Sequence, residues 1–121
     1  MEVVVVLGAS SNPERYSNMA IRELRSRGHR VIPVHPQESM IEGLPVVANL
    51  QGLSGQPIDT LTLYLRPELS APLAAAIVAL KPRRVIFNPG TESHALEKIL
   101  TQNNIEVLEA CTLVMLRTGQ F

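Results

Sequence analysis

The chain predicts an α/β fold, a doubly wound, parallel five-stranded sheet with helices on both faces. Three observations carry this. The run "VVVVL", residues 3 to 7, is β-branched or leucine without polar alternation, as in a strand buried on both faces. Further short apolar runs recur at 29–36, 58–65, 83–88 and 105–110. Segments with helical spacing alternate with these runs, and such alternation requires right-handed crossovers and parallel pairing.

Taken in order, the first strand ends at Gly8. Tyr16, Ala20, Ile21 and Leu24 then share a helical face opposite Arg22, Glu23 and Arg25, and Gly28 supplies the stop. "HRVIPVHP", 29 to 36, reads as a second strand nearer an edge, because Pro33 and Pro36 limit its hydrogen bonding. Residues 37 to 57 are punctuated by Gly and Pro and read as a surface connection with at most a small extra strand. "IDTLTLYL", 58 to 65, alternates Leu61, Leu63 and Leu65 with Thr60, Thr62 and Tyr64, which predicts a third strand at a sheet edge.

Ser70 is the expected N-cap of the next helix, which turns Leu73, Ala76, Ile77 and Leu80 inward and stops near Lys81-Pro82. "RRVIFN", 83 to 88, gives a fourth strand, and Thr91 is the expected cap of a helix presenting Ala95, Leu96, Ile99 and Leu100 to the core. "IEVLEA", 105 to 110, gives the fifth, and "CTLVMLRTG" a short docked helix ending at Gly119. The expected strand order is 3-2-1-4-5, within one domain spanning 1–121.

Composition narrows the function. With 45% hydrophobic and 18% charged residues the chain is not a disordered tail, and a formal net charge of zero exerts no global pull toward nucleic acid or acidic membranes. Only 3% of residues are aromatic and Trp is absent, so few platforms exist for stacking bases. One cysteine cannot form an internal disulfide, and the first apolar run lacks a basic leader and is too short to cross a bilayer. A cytoplasmic protein that binds neither nucleic acid nor membrane is expected.

In doubly wound sheets ligands bind beyond the carboxyl ends of the strands, where the winding direction reverses. Gly8-Ala9-Ser10, His35-Pro36, Leu65-Arg66-Pro67, Asn88-Pro89-Gly90 and Ala110-Cys111 each follow a strand and belong to that edge. With the order 3-2-1-4-5, Gly8 and Asn88 face each other across the crevice. Gly8 with small Ala9 and Ser10, before a helix start, makes an anion site from amides and the helix dipole. Ser11 and Ser17 add hydroxyls, and Arg15 either pairs with a phosphate or is solvated. A plainer alternative is that a doubly wound protein needs a glycine after its first strand in any case. The nicotinamide fingerprint asks for a second glycine and an acid at the end of strand 2, where this chain has Ser10 and His35, so NAD(P) is a secondary reading. No phosphate-loop Gly-Lys-Ser or Gly-Lys-Thr occurs.

The segments "VLGASSNPERYSNMAIRELRSRGHRVIPVHPQESMIEGLPVV", "IDTLTLYLRPE", "VIFNPGTES" and "EACTLVM" together resemble the small stand-alone CoA-binding proteins. The fold of that family is Rossmann-like and similar to the N-terminal domain of the succinyl-CoA synthetase alpha subunit. The resemblance implies a CoA or acyl-CoA ligand. It implies that Gly8, Ala9, Ser10 and the turn from Asn12 through Arg15 to Ser17 hold the pyrophosphate, and that His35-Pro36 borders the adenosine. Leu65-Arg66-Pro67 and Asn88-Pro89-Gly90 then line the rest of the crevice. Two positions depart from the family pattern, with His35 where Asn is common and Gln37 where a basic residue is common. A lost cation there removes a charge-assisted bond of about 1.5 to 3 kcal/mol to the 3′-phosphate, and Arg15 or Arg66 are the substitutes at hand.

Chemistry beyond binding has little support in the sequence. Cys111 follows strand 5 without an evident base, and free cysteines are often interior. His29, His35 and His94 are scattered and, with Cys111, show no metal-ligand spacing. The reading is a non-catalytic binding module for a small nucleotide-type ligand. The alternatives are an NAD(P)-binding domain or a CoA-ligase subunit acting with a partner chain. Leu113 to Leu116 either covers a sheet edge or forms a homodimer contact.

Overall fold

The amino-terminal valine run forms an interior strand, β1 (Val3–Leu7), in a computed structural model that describes all 121 residues. Parallel neighbours β2 (Arg30–Val34), β5 (Thr60–Leu63), β6 (Arg84–Phe87) and β7 (Glu106–Glu109) complete a five-stranded sheet. A two-stranded antiparallel ribbon, β3 (Met40–Ile41) and β4 (Leu44–Pro45), lies in the connection from β2 to β5. Helices α1 (Tyr16–Ser26), α2 (Pro67–Ser70), α3 (Ala74–Leu80), α4 (His94–Gln102) and α5 (Thr112–Arg117) cover the sheet. No helix is long and apolar enough to cross a membrane.

The fold class is the predicted one, and the pleat of β1 shows why it works. Val4 and Val6 pack with Ala20, Ile21 and Leu24 of α1 and with Leu113 and Leu116 of α5. Val5 and Leu7 point the other way, into a larger cluster with Leu53, Ile77, Phe87, Leu96 and Leu100. Successive side chains of one strand thus seed two separate core layers. Leu113 and Leu116 cover a sheet face, not an edge.

Strand order differs from the expectation. The order is β2-β1-β5-β6-β7, so the third main strand lies beside the first, with Val6 opposite Thr62 and Leu7 opposite Leu63. Written in main strands this is 2-1-3-4-5, and the 58–65 segment is central. Its Leu/Thr alternation suggested an edge because threonine reads as a solvent-facing residue. Thr60 and Thr62 are instead completely buried. Thr60 Oγ1 donates to Glu2 at 2.6 Å and accepts from Arg84 Nε at 2.8 Å, while Thr62 Oγ1 lies 2.8 Å from Thr112 Oγ1. Hydrogen bonding removes the cost that would have pushed these hydroxyls to the surface.

The connection from β2 to β5 uses no α-helix. The ribbon turns through Glu42 and Gly43, both at positive φ (50° and 76°), as a two-residue hairpin requires. Val47 then bridges the outer edge of β2, donating to Pro33 O at 3.0 Å and accepting from His35 N at 3.1 Å. A 3-10 turn, Leu50–Leu53, buries both of its leucines.

Helix starts also differ in detail. The segment after β5 begins at Pro67, and Ser70 is buried within that first turn with no capping bond. Pro67 supplies a preset helical φ at the position where a missing N–H costs nothing. Ser93, not Thr91, caps α4, its hydroxyl accepting from Leu96 N at 3.2 Å, because the Thr91 hydroxyl is spent on Asn88 O. Leu96 and Leu100 are buried as expected, but Ala95, Ile99 and, on α1, Tyr16 are exposed.

Candidate ligand-binding site

Because β5 lies beside β1, the winding reverses between those two strands, and the crevice opens between Gly8 and Leu65. Gly8 has φ +91°, and a Cβ there would stand 3.0 Å from both the Tyr64 carbonyl carbon and Leu65 Cδ2. Only glycine allows the chain to turn this close to its neighbour. A cavity of about 650 Å³ opens above the turn, within the range typical of small-molecule sites.

Seven of the twelve sequence-predicted residues line this cavity: Gly8, Ala9, Ser10, Arg15, Ser17, His35 and Pro36. The first intrahelical bond of α1 runs from Met19 N to Arg15 O at 3.0 Å, so the amides of Tyr16, Ser17 and Asn18 have no backbone acceptor. No acidic residue occupies the first turn of α1, which leaves the positive end of the helix dipole uncompensated. Arg15 is the N-cap residue, and its exposed guanidinium makes no ion pair, unlike Arg27, Arg66, Arg83, Arg84 and Arg117. His35 Nδ1 accepts from the amides of Gln37 and Glu38, both at 3.0 Å, so the ring proton sits on Nε2 and remains available to a ligand.

The other five sit elsewhere. Asn12 shapes the loop, its amide donating to Ser10 Oγ at 3.1 Å and its Oδ1 accepting from Glu14 N at 3.0 Å. Arg66 is exposed and lies 3.5 Å from Glu68. Asn88 is 2% exposed and separated from Gly8 by β5, so the two are not neighbours across the crevice. Asn88 Nδ2 donates to Thr62 Oγ1 at 2.8 Å and Leu63 O at 2.9 Å, and its Oδ1 accepts from Thr112 N at 2.9 Å. Pro89 and Gly90 follow it away from the cavity lining.

Sequence reasoning missed the far wall. Ala48, Asn49, Leu50 and Gln51 line the cavity at the start of the 3-10 turn, and Leu69 and Leu73 line it from the segment after β5, beyond Leu65, which the sequence did place at this edge. The one local signal was Asn49, an N-cap type three residues before Gly52, since the four-residue turn is too short to show a period. Asn49 Oδ1 accepts from Gly52 N at 3.1 Å.

The remaining reactive side chains are dispersed. Tyr64 lies on the opposite face, where burial pushes its hydroxyl up to about 12 despite the Thr62 and Thr112 hydroxyls beside it. Cys111 is a half-buried free thiol outside the cavity. His29 accepts from Glu2 N at 3.0 Å and meets Phe121 edge-on at 5.2 Å. No three His, Cys, Asp or Glu side chains converge as metal ligands.

The sequence model of the CoA binding domain family matches residues 2–117. The chain belongs to that family. A crystal structure of an uncharacterized protein superposes with a TM-score of 0.93 at 41% identity, covering 100% of this chain and 98% of that one. A structure from Thermus thermophilus, described only as cell-free ID.343, gives a TM-score of 0.89 at 31% identity over 99% of this chain and 90% of that one. Bacillus subtilis YneT, an uncharacterized protein, is 32% identical over 65 residues, 54% of this chain and 47% of YneT. The matched segment thus spans about half of that curated relative.

Proposed function

We propose that this CoA-binding domain is a non-catalytic module that binds CoA or acyl-CoA, with the ligand's diphosphate at the loop after β1. The observation that carries the reading is the set of uncommitted donors around one cavity: the first amides of α1, the Ser17 hydroxyl and the unpaired Arg15. Amides at a helix start with a nearby cation suit a diphosphate. In this reading Gly8, Ala9, Ser10, Arg15 and Ser17 hold the diphosphate, and His35, Pro36 and the 48–51 wall border the adenosine. Asn12 shapes the loop, while Arg66, Asn88, Pro89 and Gly90 stay out of contact.

The non-catalytic part rests on what the cavity offers. Ser10 Oγ serves as an acceptor for Asn12 N, and no cavity hydroxyl is hydrogen-bonded to His35. A nucleophile without an activating base is weak. Calorimetry of the ligand-stripped protein with CoA, 3′-dephospho-CoA and NAD at fixed salt tests the reading. Saturable CoA binding without consumption of ligand, weaker for dephospho-CoA, is expected. Clear NAD binding without CoA binding would overturn it, and turnover of a CoA thioester would remove the non-catalytic part.

A further inference from the structure

The loop after β1 has a single glycine, yet it is tied into one shape by hydrogen bonds. What fixes it lies in the connection after β2. Glu38 reaches 27 residues back along the chain, accepting from Ser11 N at 3.2 Å with one carboxylate oxygen and from the Ser11 hydroxyl with the other. Its own backbone is fixed in turn, since its amide donates to His35 Nδ1 at 3.0 Å. A second tie runs through Asn18, whose Nδ2 donates both to Ser10 O at 2.9 Å and to Glu42 at 3.1 Å. Glu38 is half-buried and makes no ion pair, so only neutral donors of the loop hold its charge. Ser11 lies just outside the cavity lining, and its neighbour Ser10 lies within it.

We infer that Glu38 is a positioning residue of the anion loop: it grips Ser11 and so sets the spacing between the Gly8–Ser10 cradle and the His35–Pro36 rim. This inference rests on the CoA-binding reading. Glu38 does not touch the ligand. A glutamine keeps both bonds, with Oε1 accepting from Ser11 N and Nε2 donating to the Ser11 hydroxyl, which can rotate to accept. An alanine keeps neither. Charge and position are therefore separable at this one site.

The test compares wild type, Glu38→Gln and Glu38→Ala by calorimetry with CoA and ADP, by NMR titration with adenosine, and by amide hydrogen exchange without ligand. Glu38→Ala should weaken CoA and ADP about tenfold, the effect of losing about one such bond's free energy from the bound state. It should leave adenosine, which has no diphosphate, within about twofold, and speed exchange at Ser11. Glu38→Gln should restore wild-type affinities and Ser11 protection. Unchanged CoA binding in Glu38→Ala overturns the inference and leaves the functional reading intact. Tighter CoA binding in Glu38→Gln also overturns it, because Glu38 would then be competing with the ligand for loop donors. A wild-type protein that binds neither CoA nor ADP fails at the functional reading itself, and the inference falls with it.

Discussion

Two loops at the same edge of the sheet look alike in sequence and are used in opposite ways. Gly8 to Arg15 follows β1, and Asn88 to Ser93 follows β6, and each combines glycine, an Asn-Pro pair, hydroxyl side chains and a helix start. Around the first loop, donors at the start of α1 and the Arg15 guanidinium remain free beside a cavity. In the second, Asn88 satisfies Thr62, Leu63 and Thr112, Thr91 returns to Asn88 O, and Ser93 N donates to Glu97. The difference follows from topology. The first loop stands where the winding reverses, whereas the second stands between β5 and β7, where the chain proceeds in one direction and α5 begins overhead. Donor-rich sequence shows capacity for hydrogen bonds, and topology decides whether protein or ligand uses it.

The largest effect expected from this contrast is on stability. Asn88→Ala strands Thr112 N and Leu63 O in a buried region and leaves Thr62 Oγ1 with only Thr112 Oγ1 as partner, at a cost of about 3 kcal/mol in total. For a domain of this size that lowers Tm by roughly 10 °C. Below the transition, CoA affinity should match wild type. Thermal melts paired with calorimetry check this, and a variant that melts normally but loses CoA would place Asn88 in the binding site and erase the contrast between the loops.

The reciprocal change is Arg15→Ala. The guanidinium has no protein partner, so Tm should stay within the range of ordinary surface substitutions, about 0.5 kcal/mol. CoA affinity should drop about tenfold or more, as for loss of one charge-assisted phosphate contact. The dependence of affinity on salt should flatten as well, since exposed charge is what salt screens. Unaltered affinity over a salt series would show Arg15 to be a solvated surface group.

The contrast also explains what could be read from sequence. The strands, the parallel class and the Gly8 turn are written in local pattern: an unbroken apolar run, alternating elements and a glycine followed by small residues. The order of the strands is not local. It depended on whether Thr60 and Thr62 would be buried, and their partners lie far along the chain in Glu2, Arg84, Asn88 and Thr112. The same dependence separated Asn88 from the site. Residues 48–51 were hidden for another reason, since a short 3-10 turn in a Gly- and Pro-rich connection carries too few residues to show a period. Glu38 follows strand 2 by only a few residues, but its path back to Ser11 is a tertiary fact.

The smallest effect tests the second loop through its helix, at the sheet edge farthest from the cavity. Glu97 of α4 faces Glu109 of β7, and its carboxyl is raised above the ordinary 4.5, first by desolvation and then by its hydrogen bond to Glu109, with the charge of Glu109 adding to both. Ser93 N and the charge of His94 pull the other way. A carboxyl that holds its proton more tightly folded than unfolded costs stability as pH rises through that interval. At neutral pH the pair is therefore slightly unfavourable. Glu109→Gln removes the opposing charge and should stabilise the protein at pH 7 by no more than about 0.5 kcal/mol, because both groups are largely solvent-screened. The gain should fade as pH falls through the range in which Glu97 takes up its proton, because the opposing charge is then absent from the wild type as well. Thermal melts of both proteins at pH 4, 5.5 and 7 decide it. An equal gain at every pH would trace the effect to packing, and a change in CoA affinity would mean that this edge communicates with the cavity, which the division of labour between the two loops forbids.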